Sequence, residues 1–142
     1  MQYFLTNIGT RPDFRLVVEF IWGEGHNCKT DGNARHPASR EWTDLWIRSR
    51  EVDASVVEVE PVSEDPLVLV VSSESPDLAA RMALFLEEEC GCLVQSDSEN
   101  GPLVPASELA SATGDFNVAK AWEASKASRW RRATEEDPYP EP

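Results

Sequence analysis

Alternation and helical period divide the chain into short segments. Residues 2–6 (QYFLT) read as a short strand, with a turn from Gly9 to Pro12. FRLVVEFIW (14–22) puts Phe14, Leu16, Val18, Phe20 and Trp22 on one side of an extended chain, and its β-branched and aromatic content favours a strand. The competing reading is a helix with Phe14, Val17, Val18 and Ile21 on one face. Residues 23–40 (GEGHNCKTDGNARHPASR) hold glycines, a proline and small polar residues without a period, and read as a loop. WTDLWIRSRE (42–51) alternates as a strand. SVVEVEPV (55–62) sets Val57 and Val59 on one face against Val56, Glu58 and Glu60 on the other, a half-exposed strand. PLVLVVSS (66–73) is apolar on both faces and suits the centre of a sheet, with Pro66 at its start removing no ladder donor.

The clearest helix covers 75–91. Ser75 is a good N-cap, Pro76 suits the first helical position, and Asp77 complements the positive end of the helix dipole. Leu78, Met82, Phe85 and Leu86 make one apolar stripe, and Gly91 supplies a left-handed stop. CLVQSD (92–97) returns as a strand, so strand, helix and strand form a crossover onto one sheet. SENGPLVP (98–105) is a turn region and ASELASA (106–112) a short helix. FNVAKAWEASKASRWRRAT (116–134) is a C-terminal helix with Asp115 as cap. The fold expected is α+β: one domain over 1–134, with a mostly antiparallel sheet of about five or six strands, a packed helix at 75–90 and a second at 116–134. Residues 135–142 (EEDPYPEP) are expected as a disordered acidic, Pro-rich tail.

Charge changes this picture. The net charge of −13 is concentrated: residues 51–100 carry thirteen acids against Arg81 alone, whereas residues 1–50 hold six acids and seven bases. Such a balance argues against the clustered Lys and Arg contacts of nucleic-acid binding and against anionic membranes, and it favours a basic partner. No apolar run approaches a bilayer span, and the first residues lack the layout of a signal peptide. Three cysteines are too few for a disulfide framework, so a cytoplasmic setting is expected.

Candidate chemistry is sparse. Cys90, four residues beyond Leu86, continues the buried stripe, and Cys92 packs back behind the glycine stop. The three glutamates beside them oppose thiolate formation. His26, Cys28 and His36 match no common zinc spacing. With two histidines in one loop, a Ser or Cys triad is not expected, and the hydrolase, metalloprotease and P-loop motifs are absent from the sequence. No catalytic residue, metal or cofactor is assigned.

The function expected is therefore a non-catalytic binding protein that neutralises a basic partner. Small, acidic, single-domain and motif-free is the habit of immunity or inhibitor proteins that occlude a toxin active site, such as that of a nuclease; no residue motif carries this. The contacts expected are Glu58, Glu60, Glu64, Asp65, Glu87, Glu88 and Glu89, with Trp42 or Trp46 as anchors on one strand face. The alternatives are a small-ligand domain or enzyme with its site near the 23–40 loop, and an adaptor whose basic C-terminal helix docks on an acidic assembly.

Overall fold

A computed structural model describes residues 1–34, 36, 38–51 and 54–142. Arg35 and Pro37 of the expected loop, and Val52 and Asp53 of the following turn, lie outside the described residues. The elements in chain order are β1 (Gln2–Thr6), α1 (Phe14–Trp22), β2 (Cys28–Gly32), β3 (Leu45–Ser49), β4 (Val56–Glu64), β5 (Leu67–Ser72), α2 (Pro76–Cys90), β6 (Leu93–Gln95), α3 (Ala106–Ser111) and α4 (Val118–Lys126), then a 3₁₀ turn at Arg129–Arg132. Six strands form one sheet in the order β2-β3-β4-β5-β1-β6, with every neighbouring pair antiparallel. The expected α+β class and sheet are those of the structure.

The strand expected at 14–22 is instead α1. Asp13 decides it: its buried carboxylate accepts the Arg15 N–H at 2.9 Å and holds the Arg15 guanidinium at 2.7 Å, an N-cap that an extended chain could not use. Leu16, Val17, Phe20 and Ile21 are then buried together, a helical spacing that alternation would split between two faces. The 23–40 loop contains β2, which reads as a loop because CKTDG has no apolar alternation. Its place is set by backbone pairing, from Cys28 opposite Ser49 to Gly32 opposite Leu45, and by Asn33, whose side chain holds the Thr43 N–H and hydroxyl at 2.8 Å. Gly32 has φ +136°, and a Cβ there would stand 2.1 Å from the Asp44 carbonyl oxygen.

Elsewhere the local signals hold. Ser75 caps α2, Gly91 ends it at φ 62°, and Cys92 Sγ donates to the Leu86 carbonyl at 3.6 Å. Both Cys90 and Cys92 are buried, and burial pushes each thiol up to about 12. β5 and β6 both run antiparallel to β1, so the crossover through α2 joins two parallel strands with β1 inserted between them. The expected C-terminal helix is shorter: Asn117 rather than Asp115 caps α4 by accepting from the Lys120 N–H at 3.0 Å, and the helix gives way to the 3₁₀ turn.

The core lies between the sheet and the helices. Tyr3, Leu5, Leu45, Ile47, Val57, Val59, Leu69, Val71 and Val94 face α1 and α2. Phe20 packs on Phe85 with ring centres 4.7 Å apart, and Trp122 of α4 lies 4.7 Å from Phe20. Residues 135–142 fold back on this layer: the Arg15 guanidinium lies 3.8 Å from the Trp130 ring centre and 5.2 Å from that of Tyr139, and Pro140 is buried. Among the described residues, no helix is long and apolar enough to cross a membrane.

Candidate functional site

A strand turns alternate side chains to opposite faces, so a sheet with all its helices on one side leaves a second set of side chains uncovered. In this sheet the second set includes Phe4, Trp46, Val56 and Val70, none of which belongs to the core that the helices close, although Val70 is itself buried. The strand register aligns it in rows. Asp31, Trp46, Glu58 and Ser72 lie side by side across β2, β3, β4 and β5. Glu60, Val70, Phe4 and Gln95 form the next row across β4, β5, β1 and β6. Trp46, Phe4, Val56 and Glu58 are half-buried, and Glu60 and Asp31 are exposed.

The end of this face near the first strand is concave. A groove of about 1190 Å³ has Phe4 and Val56 in its lining, with the carboxylates of Glu58, Glu74 and Asp97 around it. No described cation lies within ion-pair distance of Glu58 or Glu60. Partial burial raises the Glu58 carboxyl above its ordinary value, and the like charges of Glu60 and Asp44 add to the shift. Arg48 is the cation nearest Trp46, its guanidinium 6.0 Å from the ring centre.

The residues singled out in the sequence are scattered by the fold. Trp46, Glu58 and Glu60 come together on the uncovered face. Glu64 and Asp65 are exposed at the tip of the β4–β5 hairpin. Trp42 does not share a strand face with Trp46: β3 begins at Leu45, and Trp42 is fully buried with its indole N–H donating to the Pro12 carbonyl at 2.8 Å. Its ring offers no surface to a partner.

Glu87, Glu88 and Glu89 stand on the helix layer, where Lys126 and Arg131 share a shallow hollow with them. Arg131 forks onto both oxygens of Glu89 and also donates to the Ser125 carbonyl at 2.7 Å. Burial, then Glu88, raises the Glu87 carboxyl. Phe4, Val56, Glu74 and Asp97 were not singled out. The phase of QYFLT contained a signal for Phe4, since Tyr3 and Leu5 already occupy the inner face.

The loop after α1 holds a second arrangement. His26 Nε2 lies 2.8 Å from Ser49 Oγ, and His26 Nδ1 lies 3.0 Å from Glu51 Oε2. This is the hydrogen-bond order of a serine hydrolase relay, which two histidines in one loop had not led us to expect. Ser49, however, is completely buried, so no substrate carbonyl reaches its hydroxyl. The imidazole stacks on Trp22 at 5.1 Å and 8°, and Glu51 also accepts the Asn27 N–H at 2.6 Å.

These bonds fasten β2 to the end of β3. A hollow of about 370 Å³ beside them is lined by Arg15, Glu19, His26, Cys28 and Trp130, among others. Burial raises the Cys28 thiol above its ordinary value, which disfavours the thiolate. His36 Nδ1 accepts from the Ala38 N–H at 3.3 Å, and no cluster of three metal-ligand types occurs among the described residues.

No protein-family model matches the chain, and no curated protein or solved structure matches it.

Proposed function

We propose that this chain is a non-catalytic binding protein that takes a basic protein partner on the uncovered face of its sheet, in the manner of an immunity protein covering a toxin's cationic active site. One observation supports this above the others: Trp46 stands between Asp31 and Glu58 on a face that no helix packs against, beside the unpaired Glu60. A lone solvated acid needs no aromatic neighbour. Aromatic groups flanked by unneutralised carboxylates suit Lys and Arg, whose charge the acids attract and whose flat or aliphatic parts the rings cover.

Such a face works in two steps. The carboxylates steer a cationic surface at long range, so association weakens as salt rises. Trp46 and Phe4 then lose water on contact and slow dissociation. The acids imitate the phosphates that a nuclease cleft would otherwise hold, and the partner is inhibited because its cleft is covered.

The test is affinity purification at low and at high salt, with the Glu58→Lys/Glu60→Lys and Trp46→Ala variants alongside. We expect a basic protein retained by the wild type at low salt, released by salt, and lost from both variants. A partner retained equally by wild type and by both variants would move the binding site elsewhere.

A further inference from the structure

The sheet has two edges, and they are finished differently. At β6 the outer edge is occupied: Gln95 bridges to Leu103, the Val104 N–H donates to Val94 at 2.8 Å, and the Ser96 N–H donates to Pro102 at 3.0 Å. At β2 nothing comparable occurs among the described residues, and Lys29 to Gly32 are all exposed.

Hydrogen-bond phase shows which groups this edge presents. The Arg50 N–H donates to the Asn27 carbonyl and the Asn33 N–H to the Asp44 carbonyl, each at 2.9 Å. In an antiparallel ladder the residues that bond to a neighbour alternate. Lys29 and Asp31 therefore turn their peptide groups toward β3, and Cys28, Thr30 and Gly32 turn theirs outward. Of these outward N–H groups, only that of Gly32 is engaged, at 2.8 Å from its neighbour's Asp31 Oδ1.

We infer that two copies of this chain pair edge to edge through β2, antiparallel and centred on Thr30. That register is self-complementary, as a two-fold interface must be. Thr30 meets Thr30 of the second copy in a hydrogen-bonded pair, and Cys28 meets Gly32. Lys29 stands opposite Asp31 of the second copy, and Asp31 opposite its Lys29, on the uncovered side. When Asp31 turns to that lysine, it frees the Gly32 N–H for the Cys28 carbonyl across the seam.

A charged edge normally repels strands. Here the two charges bar a foreign strand and match the chain's own. The chain's excess of acid sits in residues 51–100, whereas residues 1–50, which include β2, hold six acids against seven bases, so most of the charge that repels a second copy lies outside the segment that pairs. Pairing would join two six-stranded sheets and make their uncovered faces continuous.

An interface this short belongs to the weak, concentration-dependent class. The test is sedimentation of the full chain from micromolar to millimolar concentration at low salt. We expect the average mass to climb from one chain toward two. Thr30→Pro removes an outward N–H without touching the β3 ladder and should stay at one chain throughout. Lys29→Asp sets like charges opposite each other twice and should weaken pairing about tenfold or more, and Lys29→Asp/Asp31→Lys should restore it. A wild type that remains a single chain at millimolar concentration overturns the inference. So does a Thr30→Pro chain that is folded and pairs like wild type, or a double reversal as weak as Lys29→Asp. Thr30→Pro and Lys29→Asp leave Asp31, Trp46, Glu58 and Glu60 in place, so with these two variants self-pairing and capture of a basic partner succeed or fail separately; only the double reversal also changes the binding row, at Asp31.

Discussion

Glu87, Glu88 and Glu89 crowd the last turns of α2, while Glu58 and Glu60 stand on β4, and in the sequence both groups look like solvated acid awaiting a cation. The fold separates them. For the helix group a cation is supplied from within: Arg131, 42 residues along the chain, forks onto Glu89, with Lys126 in the same hollow. Three acids at the negative end of a helix dipole are unfavourable by themselves. Arg131 accounts for one of them without any second molecule. For the strand group no described cation is within ion-pair distance, and Trp46 stands opposite Glu58, with Arg48 over the Trp46 ring at 6.0 Å. The two tryptophans divide in the same way: Trp42 is sealed in the core, and Trp46 faces outward among carboxylates. Acidity alone thus says little about binding. What distinguishes a candidate contact is charge left unanswered beside apolar surface left uncovered.

The most severe test of this division compares the tryptophans. Trp42→Ala should cost about 3–5 kcal/mol, because it empties a fully buried ring site and strands the Pro12 carbonyl. Trp46→Ala should cost less than about 1 kcal/mol and act on partner binding instead. Denaturant titration of the two variants measures both, and equal losses would erase the distinction between inner and outer ring. Next in size, Arg131→Met should destabilise the fold by about 1.5–3 kcal/mol, as charged hydrogen bonds to Glu89 and to the Ser125 carbonyl are lost together. An unchanged denaturation midpoint would return Glu89 to the group of unanswered acids.

Glu87→Gln/Glu88→Gln should gain about 0.3–1 kcal/mol per site from the relieved helix end. It should leave partner retention intact where Glu58→Gln/Glu60→Gln reduces it. If the helix pair proves the more damaging to retention, the contact lies on the helix layer.

The smallest effect concerns pH. Glu58 binds its proton more tightly in the folded chain than in the unfolded one, so protonation favours the fold. Its contribution is present below the ordinary 4.5 and is lost as pH rises through the raised folded value. Glu58→Gln should remove that decline, so the variant-minus-wild-type difference in Tm should become more positive as pH rises from acid toward neutral. A difference that is constant with pH would mean that the carboxyl is as well hydrated as in the unfolded chain.

Local chemistry made much of this fold legible. Ser75, Pro76 and Gly91 bound α2 because caps act within a few residues, and alternation assigned Val56 to Glu60, the first five side chains of β4, to their observed faces. Alternation misled at 14–22, where a nine-residue apolar segment satisfies both periods and only the buried Asp13 cap settles the matter. β2 was hidden because a polar edge strand is specified by its neighbour's backbone rather than by its own pattern. The candidate site was legible only in fragments. Glu58, Glu60 and Trp46 could be singled out one at a time. Which face stays bare, and which acid finds an arginine on another element, depend on where the helices settle.

The insertion of β1 between β5 and β6 bears on how this chain is made. Its first strand is flanked by Leu69–Ser72 on one side and Leu93–Gln95 on the other. A growing chain therefore cannot pair both sides of its first strand until the residues of β6 have left the ribosome. Until then Tyr3 and Leu5 have no finished layer to enter, and β1 remains an open template for other strands. Non-local pairing of this kind slows folding. Synthesis of this molecule consequently has a vulnerable interval that ends only after about two thirds of its length has emerged, the interval in which a nascent-chain chaperone would matter most.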